Sequence, residues 1–368
     1  MTPLAALLAR RIAQTGPISL AEFMADCLLH PDHGYYATRD PLGRAGDFTT
    51  APEISQMFGE LLALALAQAW TDQGSPDRIV LAEIGPGRGT QMADVLRTLK
   101  AVPGMRAAAQ PHLVEASPVL RDRQRAALDG QGALWLDRVE DLPEAPTFLL
   151  ANEFLDALPI RQFVRAGPGW RERMVGLDDG GRLVPGLSAP APLAALDRRL
   201  DDTAEGEVVE LCPALPAIVA AVAGRVARQG GAAIFIDYGG WRSRGDTFQA
   251  VQDHAPVDPF ARPGEADLTA HVDFEAVARA AVAAGAAVTG MTPQGALLDR
   301  LGIAARAERL ARGMGGDTLR QHLAAHRRLT HPQEMGTVFK ALAVHPRGTP
   351  PPPGFDAPPP DTAPVARS

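Results

Sequence analysis

The sequence predicts an α/β protein built on a doubly wound, mainly parallel sheet. Three observations support this prediction. From residue 78 onward, short and continuously apolar segments alternate with amphipathic helical segments. Such strands are typical of a parallel sheet whose two faces are both covered by helices. The 368 residues are enough for a large core, and a glycine-rich turn follows the first apolar segment, where a doubly wound sheet binds ligands.

Five apolar segments are predicted as the parallel strands. The first covers residues 78–85 and is followed by a helix over 91–100, in which apolar residues recur at the spacing of one helical face. The other four strands are predicted at residues 112–117, 133–136, 147–152 and 231–237. A helix over 273–285 and two more strands, over 286–291 and 337–344, complete the predicted core.

The length beyond one sheet domain is assigned to added segments. A helical region is predicted over 1–75 and the sheet domain over 76–345. Two insertions interrupt the sheet domain: residues 160–230 contain predicted β-hairpins, and residues 293–330 contain added helices. Nine prolines in the last 23 residues predict a disordered tail over 346–368.

Composition and charge argue against several classes of protein. The net charge of −7 is unlike that of a general nucleic-acid-binding protein and leaves room for a cationic partner. No metal is predicted, because Cys27, His30 and His33 supply only three candidate ligands. No apolar run reaches the roughly 18 residues of a membrane span, so no membrane insertion is expected. The first residues lack the charged start of a secretory signal, and a bacterial chain is expected in the cytoplasm.

A glycine-rich loop with the sequence EIGPGRGT follows the first strand. The helix behind it offers free N–H groups to an anion. The dinucleotide fingerprint is G-x-G-x-x-G, whereas this loop has Thr90 at the third glycine position. An acidic residue followed by G-x-G-x-G is typical of S-adenosylmethionine binding; a nicotinamide oxidoreductase is the alternative. The candidate contacts in the loop are Glu83, Gly85, Gly87, Gly89 and Thr90.

Further candidate cofactor contacts follow the neighbouring strands. Glu115 ends the second strand, where a carboxylate can accept hydrogen bonds from both ribose hydroxyls. Asp137 follows the third strand, where it could meet the adenine amino group. Asp47, in a glycine-flanked loop, is expected to close over the cofactor, with a solvated turn as the alternative. Ala116 and Asn152 complete the set, which predicts a class I methyltransferase that uses S-adenosyl-L-methionine.

Eight stretches within residues 15–345 resemble one known family. They are PDHGYY at 31–36, GDFTTAPEIS at 46–55, FGE at 58–60, EIGPGRGT at 83–90, NEFLDALP at 152–159, DYG at 237–239, DLTAHVDF at 267–274 and PQG at 293–295. Together they resemble the MidA-like methyltransferases, the family of the mitochondrial arginine methyltransferase of complex I assembly and its bacterial relatives. The proline-rich tail lies outside the resemblance.

The resemblance implies a seven-stranded, Rossmann-like methyltransferase domain with an added helical and β region. It also implies S-adenosylmethionine-dependent N-methylation of a protein arginine. In the mitochondrial members the product is symmetric dimethylarginine on a core subunit of the quinone arm of complex I. The expected partner is therefore a protein substrate carrying an arginine, with a complex I subunit as first candidate, and a homodimer is left open. A eukaryotic member is expected in the mitochondrial matrix.

Glu153 and Asp156 follow the fourth strand and are the predicted catalytic carboxylates. A guanidinium has a pKa above ~12 and is a poor nucleophile, and carboxylates can grip its N–H groups and take its proton. If residues 153–156 form one helical turn, both carboxylates share a face; capping of a helix N-terminus is the alternative role. His271, on a loop after the fifth strand, is predicted as a base or substrate contact, with a structural role as the alternative.

A second hypothesis of another class stays open. A catalytically silent methyltransferase-fold protein could act as an assembly or scaffold factor through the two insertions. The enzyme hypothesis is favoured over the silent one because the candidate binding and catalytic residues are present, namely Gly85, Gly87, Glu115 and Glu153. Methylation of nucleic acid is disfavoured, because Asn152 is followed by Glu and Phe rather than by proline and an aromatic residue.

Overall fold

The computed structural model describes residues 1–39 and 49–358. In it the chain divides into two compact units, each composed of three pieces of sequence. Unit 1 comprises Met1–Phe48, Asp156–Leu215 and Arg242–Asp273. Unit 2 comprises Thr49–Leu155, Pro216–Trp241 and Phe274–Ser368. The division differs from the expected one, because the helices of residues 51–72 belong to the unit that contains the main sheet and not to an N-terminal helical region.

The helices of the described residues are numbered in chain order. The α-helices are α1 (Pro3–Thr15), α2 (Leu20–Leu29), α3 (Tyr35–Thr38), α4 (Ala51–Ile54), α5 (Gln56–Asp72), α6 (Thr90–Leu99), α7 (Met105–Ala108), α8 (Pro118–Ala127), α9 (Leu215–Gln229), α10 (Phe274–Ala283), α11 (Gln294–Arg300), α12 (Ile303–Ala311), α13 (Gly316–Thr330) and α14 (Met335–Val338). Short 3₁₀ helices cover Val139–Asp141 and Ala194–Arg199. The helices predicted at residues 91–100 and 273–285 correspond to α6 and α10.

The strands are numbered in the same way. They are β1 (Ile18–Ser19), β2 (Ile79–Ile84), β3 (Ala109–Val114), β4 (Leu134–Leu136), β5 (Thr147–Asn152), β6 (Arg161–Ala166), β7 (Gly169–Leu177), β8 (Leu183–Leu187), β9 (Val208–Leu211), β10 (Gly231–Gly240), β11 (Gln249–Gln252), β12 (Ala255–Val257), β13 (Asp267–Thr269), β14 (Val272–Asp273), β15 (Ala287–Val288), β16 (Thr292–Pro293) and β17 (Phe339–His345). The five strands predicted as parallel correspond to β2, β3, β4, β5 and β10.

The main sheet of unit 2 confirms the predicted doubly wound fold. Seven of its strands lie in the order β15-β17-β10-β5-β2-β3-β4, and β16 also pairs with β17. The strands from β10 to β4 pair in parallel, while β17 is antiparallel to both of its neighbours in this order. The strand order reverses between β2 and β5, because the chain first runs outward through β3 and β4 and then returns on the other side of β2. Ligands bind at such a switch point.

The core of unit 2 explains why these segments are strands and helices. Every residue of β2 and of β5 is buried, as expected for strands covered on both faces. One hydrophobic cluster joins α5 and α6 to the sheet through Phe58, Leu62 and Leu96, among others. The amphipathic pattern of α6 therefore buries one face against a partner and leaves the other polar.

The segment before α5 differs from the long helix that a capping box at residues 50–53 predicts. Ala51–Ile54 forms a separate helix, and the Thr50 side chain makes no capping bond among the described residues. Ser55 has an extended backbone, and its hydroxyl accepts from the N–H of Met57 at 3.3 Å, so that α5 begins there. The Glu53 side chain does not reach back to Thr50 but bonds to another element, described below.

Unit 1 contains the predicted hairpins. Its larger sheet has the order β1-β7-β6-β9, and β8 also pairs with β7; a second sheet has the order β12-β11-β13. The hairpin of β6 and β7 turns at Gly167, and that of β7 and β8 turns at Asp178, whose Oδ1 accepts from the N–H groups of Gly180 and Arg182. These contacts confirm hairpins in the first insertion.

The second insertion and the tail complete unit 2. The predicted added helices are α11, α12 and α13. Residues 346–358 differ from the expected disorder: Phe355 packs against the hydrophobic cluster, and Asp356 forms an ion pair with Arg300 at 2.9 Å. A proline count does not show these anchors, which depend on contacts with distant residues. Across the described ranges, no helix is both long enough and apolar enough to cross a membrane.

Candidate functional site

The glycine-rich loop connects β2 to α6 at the point where the strand order reverses. Gly85 and Gly89 have φ angles of +62° and +84°, values that side-chain-bearing residues rarely adopt. A Cβ atom on Gly85 would lie 2.8 Å from Cδ2 of Phe154, and one on Gly89 would lie 3.3 Å from Cα of Gln124. The loop therefore requires glycine at both positions, and it leads directly to the N–H groups at the start of α6.

Glu83 is a buried carboxyl group at the end of β2. Its Oε1 accepts from Nε2 of Gln91 at 3.0 Å, while its Oε2 has no hydrogen-bond partner in the part of the chain that the structure describes. Burial raises the pKa of Glu83 to about 8, against the opposing effect of hydrogen bonds from Gln91 and the backbone of Met92. A cationic ligand beside this group would favour its ionised form.

Glu115 lies just beyond β3 and is held by two described hydrogen bonds. Its Oε1 accepts from the N–H of Ser117 at 2.7 Å, and its Oε2 accepts from Nε2 of Gln124 at 3.1 Å. Burial raises the pKa of Glu115, and hydrogen bonds from Ser117, Gln124 and the backbone of Ala116 partly offset the effect. Ala116 itself is exposed, so its contribution in the structure is this backbone group.

Asp137, the residue predicted for adenine, lies just beyond β4 and points largely into solvent. Its side chain is 83% exposed and forms an ion pair with Arg121 at 2.6 Å. Arg121 also donates to the backbone carbonyls of Glu115 and Leu136. The structure therefore gives Asp137 a partner of its own, and its contact with adenine stays a prediction.

Asn152 is the last residue of β5 and Glu153 follows it, on the other side of the switch point. The Asn152 side chain donates to Oε1 of Glu153 at 2.9 Å, and its own Oδ1 is buried without a partner among the described residues. Glu153 Oε1 also accepts from the N–H of Ala51 at 2.9 Å, and the backbone N–H of Glu153 donates to the Ile236 carbonyl at 2.9 Å. These contacts hold the carboxylate at the carboxyl end of the sheet.

The backbone at Glu153 corrects one sequence expectation. Its φ angle is +51°, in the left-handed region, and residues 153–156 form no helical turn. The helical turn that was expected to place Glu153 and Asp156 on one face is therefore absent from this described segment. A non-glycine residue in this conformation costs about 1–3 kcal/mol and persists only where its surroundings determine it.

Asp237 bonds to the backbone next to Glu153, and no role was predicted for it from the sequence. It lies in β10 and is 1% exposed. Its Oδ2 accepts from the N–H groups of Phe154 at 3.2 Å and Leu155 at 2.9 Å, so that it holds the loop directly after Glu153. The signal in the sequence was an acidic residue near the end of an otherwise apolar strand, the pattern that had singled out Glu83.

Thr90 and Glu53 connect the start of α6 to α4. The Thr90 hydroxyl donates to Oε1 of Glu53, a contact between residues 37 positions apart. Thr90 was predicted as a cofactor contact, and in the structure its hydroxyl serves to join these two helices. Glu53, for which no role at the site was predicted from the sequence, thus contacts the helix that follows the glycine loop.

Two of the predicted catalytic residues belong to unit 1. Asp156 is buried, and its carbonyl accepts from the N–H of Ala270 at 3.0 Å. In the same unit the Tyr36 hydroxyl donates to Asp267 at 2.9 Å, and burial, followed by the charges of Asp267 and Asp156, raises the pKa of Tyr36. His271 is exposed, and its backbone N–H donates to the Thr247 hydroxyl at 2.8 Å. The catalytic roles of Asp156 and His271 stay predictions.

Asp47, predicted to close over the cofactor, lies outside the described residues. Among residues 1–39 and 49–358, no cluster of three or more His, Cys, Asp or Glu side chains could hold a metal ion.

The donors and acceptors around the switch point fit an adenosyl amino acid. One buried oxygen each of Glu83 and Asn152 is left without a protein partner in the described chain. The glycines of the loop have no side chain to block a close approach to their backbone, and α6 presents N–H groups suited to a carboxylate. The Glu115 carboxylate lies after the adjacent strand, where it suits hydroxyl groups. Fold and site together define a class I methyltransferase.

Comparison with known proteins identifies the family. Residues 61–292 match the family model described as "Putative S-adenosyl-L-methionine-dependent methyltransferase". The chain is 36% identical to the Drosophila melanogaster protein arginine methyltransferase NDUFAF7 homolog, mitochondrial, over 93% of this chain and 85% of that protein. It is 35% identical to the human protein arginine methyltransferase NDUFAF7, mitochondrial, over 94% and 84% of the two chains. The chain belongs to this S-adenosylmethionine-dependent methyltransferase family.

Solved structures agree with this assignment. A Burkholderia thailandensis protein crystallised with S-adenosyl-homocysteine has a TM-score of 0.80 to this chain and 35% sequence identity, over 93% of this chain and 91% of that one. A second, native crystal structure from the same organism has a TM-score of 0.78 and 34% identity, over 94% and 95%. The protein is therefore a methyltransferase whose cofactor is S-adenosyl-L-methionine, as the sequence predicted.

Proposed function

We propose that the protein methylates an arginine side chain of a partner protein. The observation that carries this proposal is the carboxylate of Glu153, held by Ala51 and Asn152 at the carboxyl end of β5. The names of the relatives, which are protein arginine methyltransferases, support the same chemistry. A cationic guanidinium is the substrate group that such a carboxylate suits best.

The cofactor, when bound, supplies a methyl group on a positively charged sulfur. We assign the Glu83 carboxyl to its ammonium group, the first N–H groups of α6 to its carboxylate, and Glu115 to its ribose hydroxyls. Asn152 would meet the cofactor through its buried Oδ1, and Asp137 the adenine amino group. The geometry of the loop supports these assignments, since Gly85, Gly87 and Gly89 leave the backbone open to a ligand.

Glu153 would bind the substrate guanidinium and take its proton. A protonated guanidinium attacks poorly, because its charge and lone pair are delocalised over three nitrogens. A carboxylate bonded to two of its N–H groups draws positive charge away from the attacking nitrogen and accepts the proton released on transfer. The enzyme also orients the two reactants, which can lower the barrier by up to ~7–11 kcal/mol in the best cases.

The finer proposal concerns the partner and the place. We infer a core subunit of respiratory complex I as the substrate and symmetric dimethylarginine as the product, on the strength of the family resemblance. The expected location is the cytoplasm for a bacterial chain and the mitochondrial matrix for a eukaryotic one, where the named relatives are mitochondrial. Formation of a homodimer is a separate expectation.

Kinetics of Glu153→Gln test the proposed catalytic role. Glutamine keeps the size of the side chain but can neither carry the charge nor take the proton. We expect kcat for methyl transfer to fall about 10²–10⁴-fold, while the affinity for S-adenosylhomocysteine, measured by calorimetry, stays within about twofold. Glu308→Gln, an exposed glutamate of α12, is the matched control and should keep full activity. Normal turnover in Glu153→Gln would sink the assignment.

A further inference from the structure

Gln124 is a buried polar side chain to which neither the predicted site nor the proposed reaction gives a role. It lies in α8 and is 0% exposed. Its Nε2 donates to the Gly87 carbonyl at 2.7 Å and to Oε2 of Glu115 at 3.1 Å, and its Oε1 accepts from Nε1 of Trp135 at 2.8 Å. One side chain thus connects the glycine loop, the carboxylate beyond β3 and the strand β4.

The three partners determine how the amide is oriented. The indole N–H of Trp135 can only donate, so the amide oxygen must face it. The Gly87 carbonyl and the ionised Glu115 carboxylate can only accept, so the amide nitrogen must face them. Every polar group of the Gln124 amide is used, and neither a carboxylate nor a hydrocarbon of the same size could satisfy the same three partners.

The surroundings of Gln124 make this contact a close one. A Cβ atom on Gly89 would lie 3.3 Å from the Cα of Gln124, so α8 approaches the loop at the very position where the loop requires glycine. Burial works against the charge on Glu115, and the hydrogen bond from Gln124 is one of those that offset it. A carboxylate offers about four lone-pair positions, so the bonds from Ser117 and Gln124 orient Glu115 and leave acceptor capacity for hydroxyl groups.

We propose that Gln124 is a positioning residue for cofactor binding: it orients the Glu115 carboxylate toward the ribose hydroxyls and ties that carboxylate to the glycine loop. This inference rests on the assignment of Glu115 to the ribose under the proposed function. Without the Gln124 donor, the carboxylate can rotate away and takes up a proton more readily. Ribose recognition is then lost even though Glu115 is still present.

Ligand binding by single and double variants tests the proposal. S-adenosylhomocysteine and its 2′-deoxyribose analogue are titrated by calorimetry into the wild type, Gln124→Met, Glu115→Gln and the double variant. We expect Gln124→Met to lose about 10–100-fold in affinity for the ribose ligand, the usual range for a hydrogen bond to a charged group. Gln124→Met should also show a smaller difference in affinity between the two ligands than the wild type does. The affinity of the double variant for S-adenosylhomocysteine should lie within about twofold of that of Glu115→Gln.

Two further variants separate positioning from stability. Gln162 in unit 1 is also 0% exposed, donates to Glu210 and Asp246 at 2.7 Å each and accepts from Arg173 at 2.6 Å. Gln162→Met should lower the melting temperature but keep the wild-type affinity and ribose preference. Gln124→Glu, which preserves side-chain shape, should bind S-adenosylhomocysteine more weakly than Gln124→Met at pH 8, because its charge faces Glu115.

The outcomes are distinguishable. Two results overturn the positioning role while leaving the Glu115 assignment intact. In the first, Gln124→Met prefers the ribose ligand over its 2′-deoxyribose analogue as strongly as the wild type does. In the second, the affinity lost by the double variant equals the sum of the losses of the two single variants. An unchanged ribose preference in Glu115→Gln refutes the assignment of Glu115 itself, and the role of Gln124 with it. A shift of the affinity–pH profile of Gln124→Met toward higher pH supports the proposal, because a purely structural defect would not move it.

Discussion

The buried carboxyl group of Glu83 lies in an environment that differs strongly from water. Its side chain lies at the end of β2 with one oxygen unpartnered among the described residues. Because burial favours the neutral form and raises the pKa of this group to about 8, we expect the carboxyl group to hold a proton at neutral pH when no cation lies beside it. An ammonium group beside it would release that proton on binding.

The free energy of unfolding should depend on pH because of Glu83. The pKa is about 8 in the folded protein and about 4.5 in the reference state, so between these values only the folded protein holds the proton. This group therefore lowers the free energy of unfolding by roughly 1.4 kcal/mol per pH unit as the pH rises through that window.

Urea denaturation of wild type and Glu83→Gln from pH 5 to 9 measures this contribution. The variant should gain stability relative to wild type as the pH rises, and the difference should level off above about pH 8. Titrating groups that do not interact with Glu83 cancel in the difference. A difference that does not change with pH contradicts the buried, protonated state of Glu83.

The left-handed backbone of the glycine loop allows a second test at single-residue scale. In Gly85→Ala the new Cβ atom meets Phe154 at 2.8 Å, in addition to the strain of a positive φ angle. We expect the free energy of unfolding to fall by about 1–3 kcal/mol and the affinity for S-adenosylhomocysteine to fall at least tenfold. Both are measured by denaturation and calorimetry.

Gly74→Ala is the matched control for this substitution. Gly74 also has a positive φ angle, +84°, but a Cβ atom there would meet nothing within 4 Å. It should share the backbone strain and keep cofactor affinity. Equal loss of affinity in the two variants would count against a specific role of the loop.

At the scale of elements, one buried carboxylate joins three helices of unit 2. Glu60 of α5 accepts from Nε and from the terminal nitrogen of Arg306, in α12, at 2.7 and 2.8 Å, and from Arg97, in α6, at 3.2 Å. Its side chain is 7% exposed, whereas that of Arg306 is 31% exposed. The second insertion is thus attached to the core of its own unit by a paired charge.

Removal of this pair should loosen α12. Arg306→Met leaves a buried carboxylate with one guanidinium fewer, and we expect a loss of about 1–3 kcal/mol in the free energy of unfolding. Arg309→Met, an exposed arginine of the same helix, should change stability by less than about 0.5 kcal/mol. Guanidinium denaturation of both proteins makes the comparison, and equal effects would show that Glu60 does not hold α12.

Local sequence patterns predicted some elements of unit 2 and missed others. The strands β2 and β5 were predictable because a continuous apolar run is itself the signal for a doubly buried strand. The separation of α4 from α5 was not, because a capping pattern followed by a helical stripe does not show that the backbone is extended at Ser55. The same applies to Glu153, whose left-handed backbone is held by groups on β10.

In the candidate site, too, local sequence patterns predicted where some residues lie but not which distant residues they contact. The placement of Glu83, Glu115 and Glu153 at one edge of the sheet was predictable, because each follows or ends an apolar strand and the carboxyl ends of parallel strands meet there; their roles stay predictions. The hydrogen bond of Gln124 to the glycine loop and those of Asp237 were not predictable, because they join residues that are far apart in the sequence. Composition and periodicity carry no information about such pairings.

At the scale of the whole molecule, the sequence predicted one sheet domain with added segments, and the chain instead forms two units that each combine distant pieces. Unit 1 illustrates why this was hidden: Tyr36 bonds to Asp267, 231 positions away. The apolar residues of unit 1, such as Phe23 and Leu268, form their own hydrophobic cluster. Only long-range packing reveals which pieces share a core.

Isotope transfer from the cofactor tests the central claim most directly. The purified protein is incubated with S-adenosylmethionine carrying a trideuterated methyl group and with isolated complex I core subunits, and the proteins are then analysed by peptide mass spectrometry. We predict labelled methyl groups on arginine, present with the wild type and with Glu308→Gln and absent with Glu153→Gln. Label on another class of residue would contradict protein arginine methylation. No label, although calorimetry shows that the cofactor binds, would contradict a complex I core subunit as the substrate and would favour a catalytically silent scaffold.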